Sequence, residues 1–175
     1  NINTTLSDEA FVLYKDNKDM NRAEFIGKVE DEFTYFHKIS VIITDYNYQV
    51  LNGGHTQYMG NQYFDYLKDI KQFLKNNINF HEVFASLLDI IKTVEDEETW
   101  YSEATNQVKK IDCEYRELFQ ELLNDNINDI ISFKTLDMKY HEISKMFMHQ
   151  FNEWLMENIW KGRIEKCNHS NQSPG

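Results

Sequence analysis

The chain has 175 residues, a formal net charge of −11 at pH 7 and 41% hydrophobic residues. This length fits one domain that buries about two thirds of the surface of its unfolded form, so no disulfide or metal is needed to stabilise it. The charge disfavours direct binding to nucleic acid or to an anionic membrane, because both carry dense negative charge.

The two cysteines, Cys113 and Cys167, are far apart in sequence and form no C-x-x-C pair. Free thiols in a reducing cytosol are the simplest interpretation, so we expect a cytoplasmic protein. No apolar run approaches the length of a membrane span. The chain opens at Asn1 rather than Met, which leaves room for a removed upstream segment such as a signal peptide.

Two helix starts are predicted near the N terminus. Ser7 is expected to cap a short helix that runs to Tyr14, with acidic residues in its first turn. Asn21, followed three residues later by Glu24, resembles a capping box and predicts a second helix. We therefore expect residues 1–20 to form a peripheral segment.

The second helix is expected to run on to the glycine-rich stretch near residue 52. Apolar residues recur at helical spacing from Ile26 to Val50. The β-branched run at 41–44 would also suit a strand, but no partner strand is apparent elsewhere in the chain. The sequence therefore predicts a helix here.

Apolar stripes predict the remaining helices. In chain order they cover residues 63–74, 80–94, 100–111, 115–123 and 140–159. The acidic step at 95–98 is expected to mark a turn or a helix start, and the last helix to end near Gly162, before a flexible polar tail at 164–175. We predict an all-α fold, with a single compact domain of about six or seven helices over residues 21–163.

Three of the six glycines fall within the ten residues 52–61, between two helical patterns. Gly53 and Gly54 are expected to end one helix and to let the chain re-enter the next, because glycine adopts positive φ and permits close backbone approach. Gln57 and Asn61, four residues apart, are expected to turn their amides to the carbonyls left unpaired at the helix end.

This stretch resembles the N-G-G-x-x-Q-Y-x-x-N motif of the DNA-mimic protein (DMP) family of helical domains. His55 and Met59 stand where the family pattern usually has aromatic residues. The resemblance covers residues 22–162 and includes a later segment, Leu136-Asp137-x-x-Tyr140. The motif residues that match one by one are Asn52, Gly53, Gly54, Gln57, Tyr58 and Asn61.

The motif has two interpretations. In the structural one the glycines cap a helix, Gln57 and Asn61 satisfy backbone groups, and Tyr58 packs in the interior. In the other, His55 joins Gln57, Tyr58 and Asn61 in lining a small polar pocket. The structural interpretation is favoured, because glycines and amides in a helix-to-helix turn already have a sufficient role.

Negative charge is concentrated between residues 89 and 129, where twelve acids stand against four basic residues for a net charge of −8. Six of the acids are predicted to form a partner-binding face: Glu97, Glu98, Glu114, Glu117, Glu121 and Asp125. The last four recur at intervals of three, four and four, so they form one row on a helix, opposite its apolar residues. Helical turns rise about 5.4 Å, comparable with the spacing of phosphates along one DNA strand. The alternative is an ordinary solvated face.

The sequence shows no pattern for catalysis or for a metal centre. The six histidines form no H-E-x-x-H motif, and the pair His149 and Glu153 supplies only two ligands. No G-x-S-x-G elbow or phosphate loop is present, and Cys113 lies between two acids, which disfavours a reactive thiolate. We expect a non-enzymatic protein without metal or cofactor.

Charge and resemblance together imply a DNA mimic, an acidic protein that engages a basic or nucleic-acid-binding protein and does not bind nucleic acid itself. One alternative is a small-ligand-binding or enzymatic domain that uses the Gly53–Gly54 turn. Another is an immunity-type partner of a toxin. The sequence is also compatible with a homodimer.

Overall fold

A computed structural model of the chain describes residues 1–16, 19–60, 66–110, 115–125 and 133–172. Within these ranges the backbone forms seven helices and no strand, which confirms the predicted all-α fold. None of these helices is long and apolar enough to cross a membrane. The helices are α1 (Ile2–Asp16), α2 (Arg22–Glu32), α3 (Tyr35–Gly60), α4 (Leu67–Asn76), α5 (Glu82–Lys109), α6 (Arg116–Asp125) and α7 (Phe133–Gln172).

The chain divides into two compact units. One comprises Asn1–Asn47 and Lys145–Gly175, and the other comprises Tyr48–Ser144. The domain boundaries predicted from the sequence stay predictions.

In the first unit, α1 begins at Ile2 and not after Ser7, so the predicted start of this helix is wrong. The reason is local, because the Asn1 side chain accepts a hydrogen bond from the Thr4 amide at 2.9 Å and so acts as the cap. Ser7 is buried within the helix instead. Aromatic packing joins α1 to α2, with the rings of Phe11 and Phe25 5.3 Å apart.

The capping box at the start of α2 is confirmed in part. The Asn21 side chain accepts a hydrogen bond from the Glu24 amide at 2.9 Å, as predicted. In return, the Glu24 carboxylate accepts a hydrogen bond from the side-chain amide of Asn21, also at 2.9 Å, and not from its backbone amide.

The helical pattern after Asn21 forms two helices rather than one. α2 ends at Glu32, and α3 starts at Tyr35. A second reciprocal cap lies between the two helices. The Thr34 amide donates to Nδ1 of His37 at 3.3 Å, and the His37 amide donates to the Thr34 hydroxyl at 3.4 Å. The β-branched run at 41–44 lies inside α3, so the helical prediction there is confirmed.

In the second unit, α4 packs on α5 through Phe73 and Phe84, whose rings are 5.5 Å apart. The predicted turn at 95–98 is wrong, because α5 continues through this stretch without a break. Carboxylates are tolerated there, since Glu95 pairs with Lys71 at 2.6 Å and the acids at 96–98 are exposed or half-buried.

α7 is longer at both ends than the sequence predicts. It starts at Phe133, seven residues before the predicted start, and passes Gly162 to end at Gln172. A single glycine costs a helix only about 1 kcal/mol relative to alanine, which is too little to end a helix whose flanking residues favour it.

α6 occupies the predicted position, but the apolar side chains described in this region are not buried as the helical pattern suggested. Tyr115, Leu118, Phe119 and Leu122 all count among the exposed large hydrophobic residues of the described chain. An amphipathic pattern shows that a helix has an apolar face, whereas it does not show that the same chain covers that face.

Candidate functional site

α3 is broken at the glycine pair of the motif. Gly53 has φ −140° and ψ 15°, and Gly54 has φ 74° and ψ −176°. The conformation of Gly54 belongs to a region of positive φ and extended ψ that is almost exclusive to glycine. The helix thus breaks at the predicted position, through this extended conformation instead of the left-handed helical one of a common C-cap.

The helical segment that follows Gly54 is capped by a carboxylate from α7. The backbone amide of His55 donates to Oδ1 of Asp137 at 2.8 Å. An anion is favourable here, because the first backbone amides of a helical segment have no acceptor within the helix and carry partial positive charge. Gly54 also provides the space, since a Cβ at this position would lie 2.8 Å from Cγ of Asp137 and closer still to its Oδ2.

The side chain of His55 binds the same carboxylate. Its Nδ1 lies 2.6 Å from Oδ1 of Asp137, and its ring lies 6.3 Å from that of Phe133. A carboxylate only accepts, so Nδ1 carries the proton. A His–Asp pair of this kind can orient a catalytic base, but the His55 side chain has 0% exposure, which keeps a substrate from its ring in this conformation. The pair therefore anchors the segment after the break.

Gln57 folds back across the break. Its amide nitrogen donates to the side-chain oxygen of Gln49 at 2.5 Å, and its amide oxygen accepts from the side chain of Asn52 at 2.9 Å. These partners are side chains, not the backbone carbonyls that were expected. Gly53 permits this arrangement, because a Cβ there would collide with Oε1 of Gln57 and would lie 2.8 Å from its Cβ.

Two tyrosines of the predicted motif segments are buried. Tyr58 follows Gln57 and is 1% exposed, while Tyr140 lies one turn after Asp137 on α7 and is 0% exposed. Burial raises the pKa of Tyr140 above its ordinary range, so this phenol stays neutral. The remaining motif residue, Asn61, lies outside the described residues.

The acidic face is described in part. Glu117 and Glu121 lie exposed one turn apart on α6. Glu97 and Glu98 lie half-buried on α5, which contacts α6, and Glu98 accepts a hydrogen bond from the Ser102 hydroxyl at 2.7 Å. The other two predicted members are Glu114, which lies outside the described residues, and Asp125, whose backbone alone is described.

Sequence reasoning missed the partners that complete the motif. Asp137 was noted only in the later segment of the family resemblance, and nothing linked it to His55, which is 82 residues away. Gln49 was not singled out at all, although it lies only eight residues before Gln57, on the other side of the glycine break. The short separation is the one signal that could have pointed to Gln49, whereas the pairing with Asp137 needs the fold.

These features define the class of the protein, an acidic, all-helical protein with a hydrogen-bonded helix break at a glycine pair and exposed carboxylates on a separate helix, α6. A family model described as DMP19-like protein matches residues 31–158, and the chain belongs to this family. The predicted family is thereby confirmed, and the individual motif positions stay predictions. The chain matches no curated protein and no solved structure.

Replacing Gly54 tests the conformation at the break. Gly54→Ala is expected to lower the free energy of unfolding by at least about 2 kcal/mol, because the added methyl group is strained at positive φ and displaces Asp137. Gly27→Ala is the matched control, since Gly27 lies within α2 with no atom within 4 Å of an added Cβ. The control is expected to be neutral or stabilising by roughly 0.5 kcal/mol. Urea unfolding measures both, and equal stabilities for the two variants would contradict the assignment.

Replacing Gln57 separates the structural interpretation from the pocket. Gln57→Ala is expected to cost about 1 to 2 kcal/mol, because it leaves the buried amide of Gln49 without this partner. Gln72→Ala removes a bond to Asn76 that is exposed, so the free energy of unfolding should change by less than about 0.5 kcal/mol. A urea melt of Gln57→Ala that overlays the parent curve would show an amide free to bind a ligand.

Proposed function

We propose that this chain is a non-enzymatic binding protein whose acidic surface on α5 and α6 engages a basic, nucleic-acid-binding protein as a mimic of DNA. The exposure of Glu117 and Glu121, one turn apart on α6, is the observation that carries the proposal. They lie in the stretch 89–129, whose net charge is −8.

Carboxylates at this spacing present a line of negative charge. DNA-binding proteins gain much of their affinity from Lys and Arg side chains that neutralise phosphates, and the same side chains can pair with carboxylates. A chain with a net charge of −11 also accelerates encounter with a cationic partner through long-range attraction. Membership of the DMP19-like family agrees with this role.

Further exposed acids on α5 support a surface larger than one row. Asp96 and Glu103 are both exposed on this helix. Glu95, by contrast, is paired with Lys71, and Glu98 is bonded to Ser102. The proposed surface therefore relies on the exposed acids of both helices rather than on every acid in the sequence.

The alternative of a ligand pocket at the Gly53–Gly54 turn receives less support. A ligand there would need access to His55, which is fully buried and bound to Asp137. The space beside Gly54 is taken by the same carboxylate. These contacts favour a structural role for the turn.

The proposal predicts salt-sensitive capture of basic proteins. Immobilised protein is expected to retain basic, DNA-binding proteins from host lysate at about 50 mM salt, and to lose them near 300 mM or on addition of duplex DNA, because exposed charges are screened and DNA competes for the same site. The double variant Glu117→Gln/Glu121→Gln should retain several-fold less.

The matched control is Glu142→Gln/Glu153→Gln, which changes the net charge equally at two exposed acids of α7. It is expected to retain as much as the parent. Equal retention by both double variants would remove α6 from the proposal, and a lysate without any captured basic protein would contradict the function itself.

A further inference from the structure

We infer that α6 binds its partner through an apolar ridge as well as through its carboxylates, and that the partner is a protein with an apolar groove bordered by Lys or Arg. This inference rests on the proposed function and names the kind of partner that the same surface fits. It is carried by the exposure, order and chemistry of the side chains at 115–122.

The apolar side chains that the structure describes on α6 are exposed to solvent. Leu118 is 50% exposed, Phe119 44% and Leu122 49%. Every described side chain from 115 to 122 is exposed except Gln120, which is half-buried. Several large apolar groups on so short a helix form a patch of the kind that marks a protein-binding surface, since isolated exposed residues are common but clusters are not.

The apolar and acidic groups lie on adjoining ridges of the helix. Residues four apart stand one above the other, so Glu117 and Glu121 form one ridge, and Leu118 and Leu122 form the next. Phe119 lies on a third ridge, on the far side of the leucines. The carboxylates therefore border the leucine ridge, while Phe119 lies on the opposite side of the helix from them.

This order determines the chemistry of the partner. The ridge of Leu118 and Leu122 needs an apolar groove, as amphipathic helices do when they dock, and the adjoining carboxylates need cationic groups along its edge. A surface that binds only a phosphate backbone would satisfy Glu117 and Glu121, whereas it would leave the apolar ridge in water. The partner therefore carries an apolar strip beside its basic residues.

Charge argues against a second copy of the chain in this place. Two copies packed through α6 would bring the ridges of Glu117 and Glu121 close together, between chains that each carry a net charge of −11. Like charges across an interface are costly, while a basic rim turns the same groups into attractive ones. A nucleic acid or an anionic membrane is disfavoured for the same reason.

The two ridges are expected to control different rate constants. Exposed charges mainly change the association rate and its dependence on salt, whereas apolar anchors in a desolvated groove mainly change the dissociation rate. This difference provides a readout that is specific to the inference.

The experiment first places a photo-crosslinker on the full-length chain. Phe119→p-benzoylphenylalanine is irradiated in host lysate, with Met138→p-benzoylphenylalanine, an exposed position on α7, as the control. We expect position 119 and not position 138 to capture a basic protein. The captured protein is then purified, and its binding kinetics are measured with the parent chain and with variants.

Leu118→Ala/Phe119→Ala is expected to raise the dissociation rate about tenfold or more with little change in the association rate. Glu117→Gln/Glu121→Gln should instead lower the association rate at low salt. Met138→Ala should change neither rate, and circular dichroism should show the parent helicity for every variant, since the replaced side chains are exposed.

Each contrary result has a distinct meaning. If the glutamate variant associates slowly while the Leu118/Phe119 variant dissociates at the parent rate, the inference is overturned and the proposed function stands. If neither variant changes binding, both fail. If position 119 captures no protein, or captures only another copy of this chain, the partner inferred here is wrong.

Discussion

The contact between Asp137 and His55 is the constraint on which the second unit depends. A broken helix leaves amides without partners, and a buried imidazole needs an acceptor, and one carboxylate oxygen serves both. Gly54 permits the contact for two reasons. It adopts a positive φ, and its missing side chain leaves the space that the carboxylate of Asp137 occupies. The glycine, the histidine and the distant aspartate therefore act as one structural group.

The polar groups around the Gly53–Gly54 break are buried, whereas those of the proposed binding surface are exposed. His55 and Tyr58 have little or no exposed surface, whereas α6 exposes carboxylates and apolar groups side by side. Because the residues around the Gly53–Gly54 break are buried, small changes in side-chain size there are expected to destabilise the fold. Exposed residues can be replaced at little cost to stability. Substitutions at the exposed residues of α6 are therefore expected to leave the contacts around Gly54 intact.

Local chemistry made much of the fold predictable, and distant pairing did not. Asn21 acts through its side-chain oxygen on the amide three residues later, and Gly54 acts through its own backbone conformation, so the cap and the break follow from residue type and short spacing. The contact between Gly54 and Asp137 joins residues more than eighty positions apart, and no local pattern in the sequence indicates it. The expectation that Leu118 is buried failed for another reason. Helical periodicity shows that a helix has an apolar face, but it does not show what covers that face. The continuity of α5 through its acids shows the same limit, since charged residues are tolerated wherever a helix meets solvent.

A double-mutant cycle between Gly54 and Asp137 tests this account most directly. In Gly54→Ala the strain at positive φ is independent of Asp137, while the collision with its carboxylate disappears once Asp137→Ala is present. Urea unfolding of the parent, the two single variants and the double variant is therefore expected to give a coupling free energy of about 1 kcal/mol or more, with the double variant more stable than the sum of the single losses predicts. Losses that add to within about 0.5 kcal/mol would show that the two residues act separately.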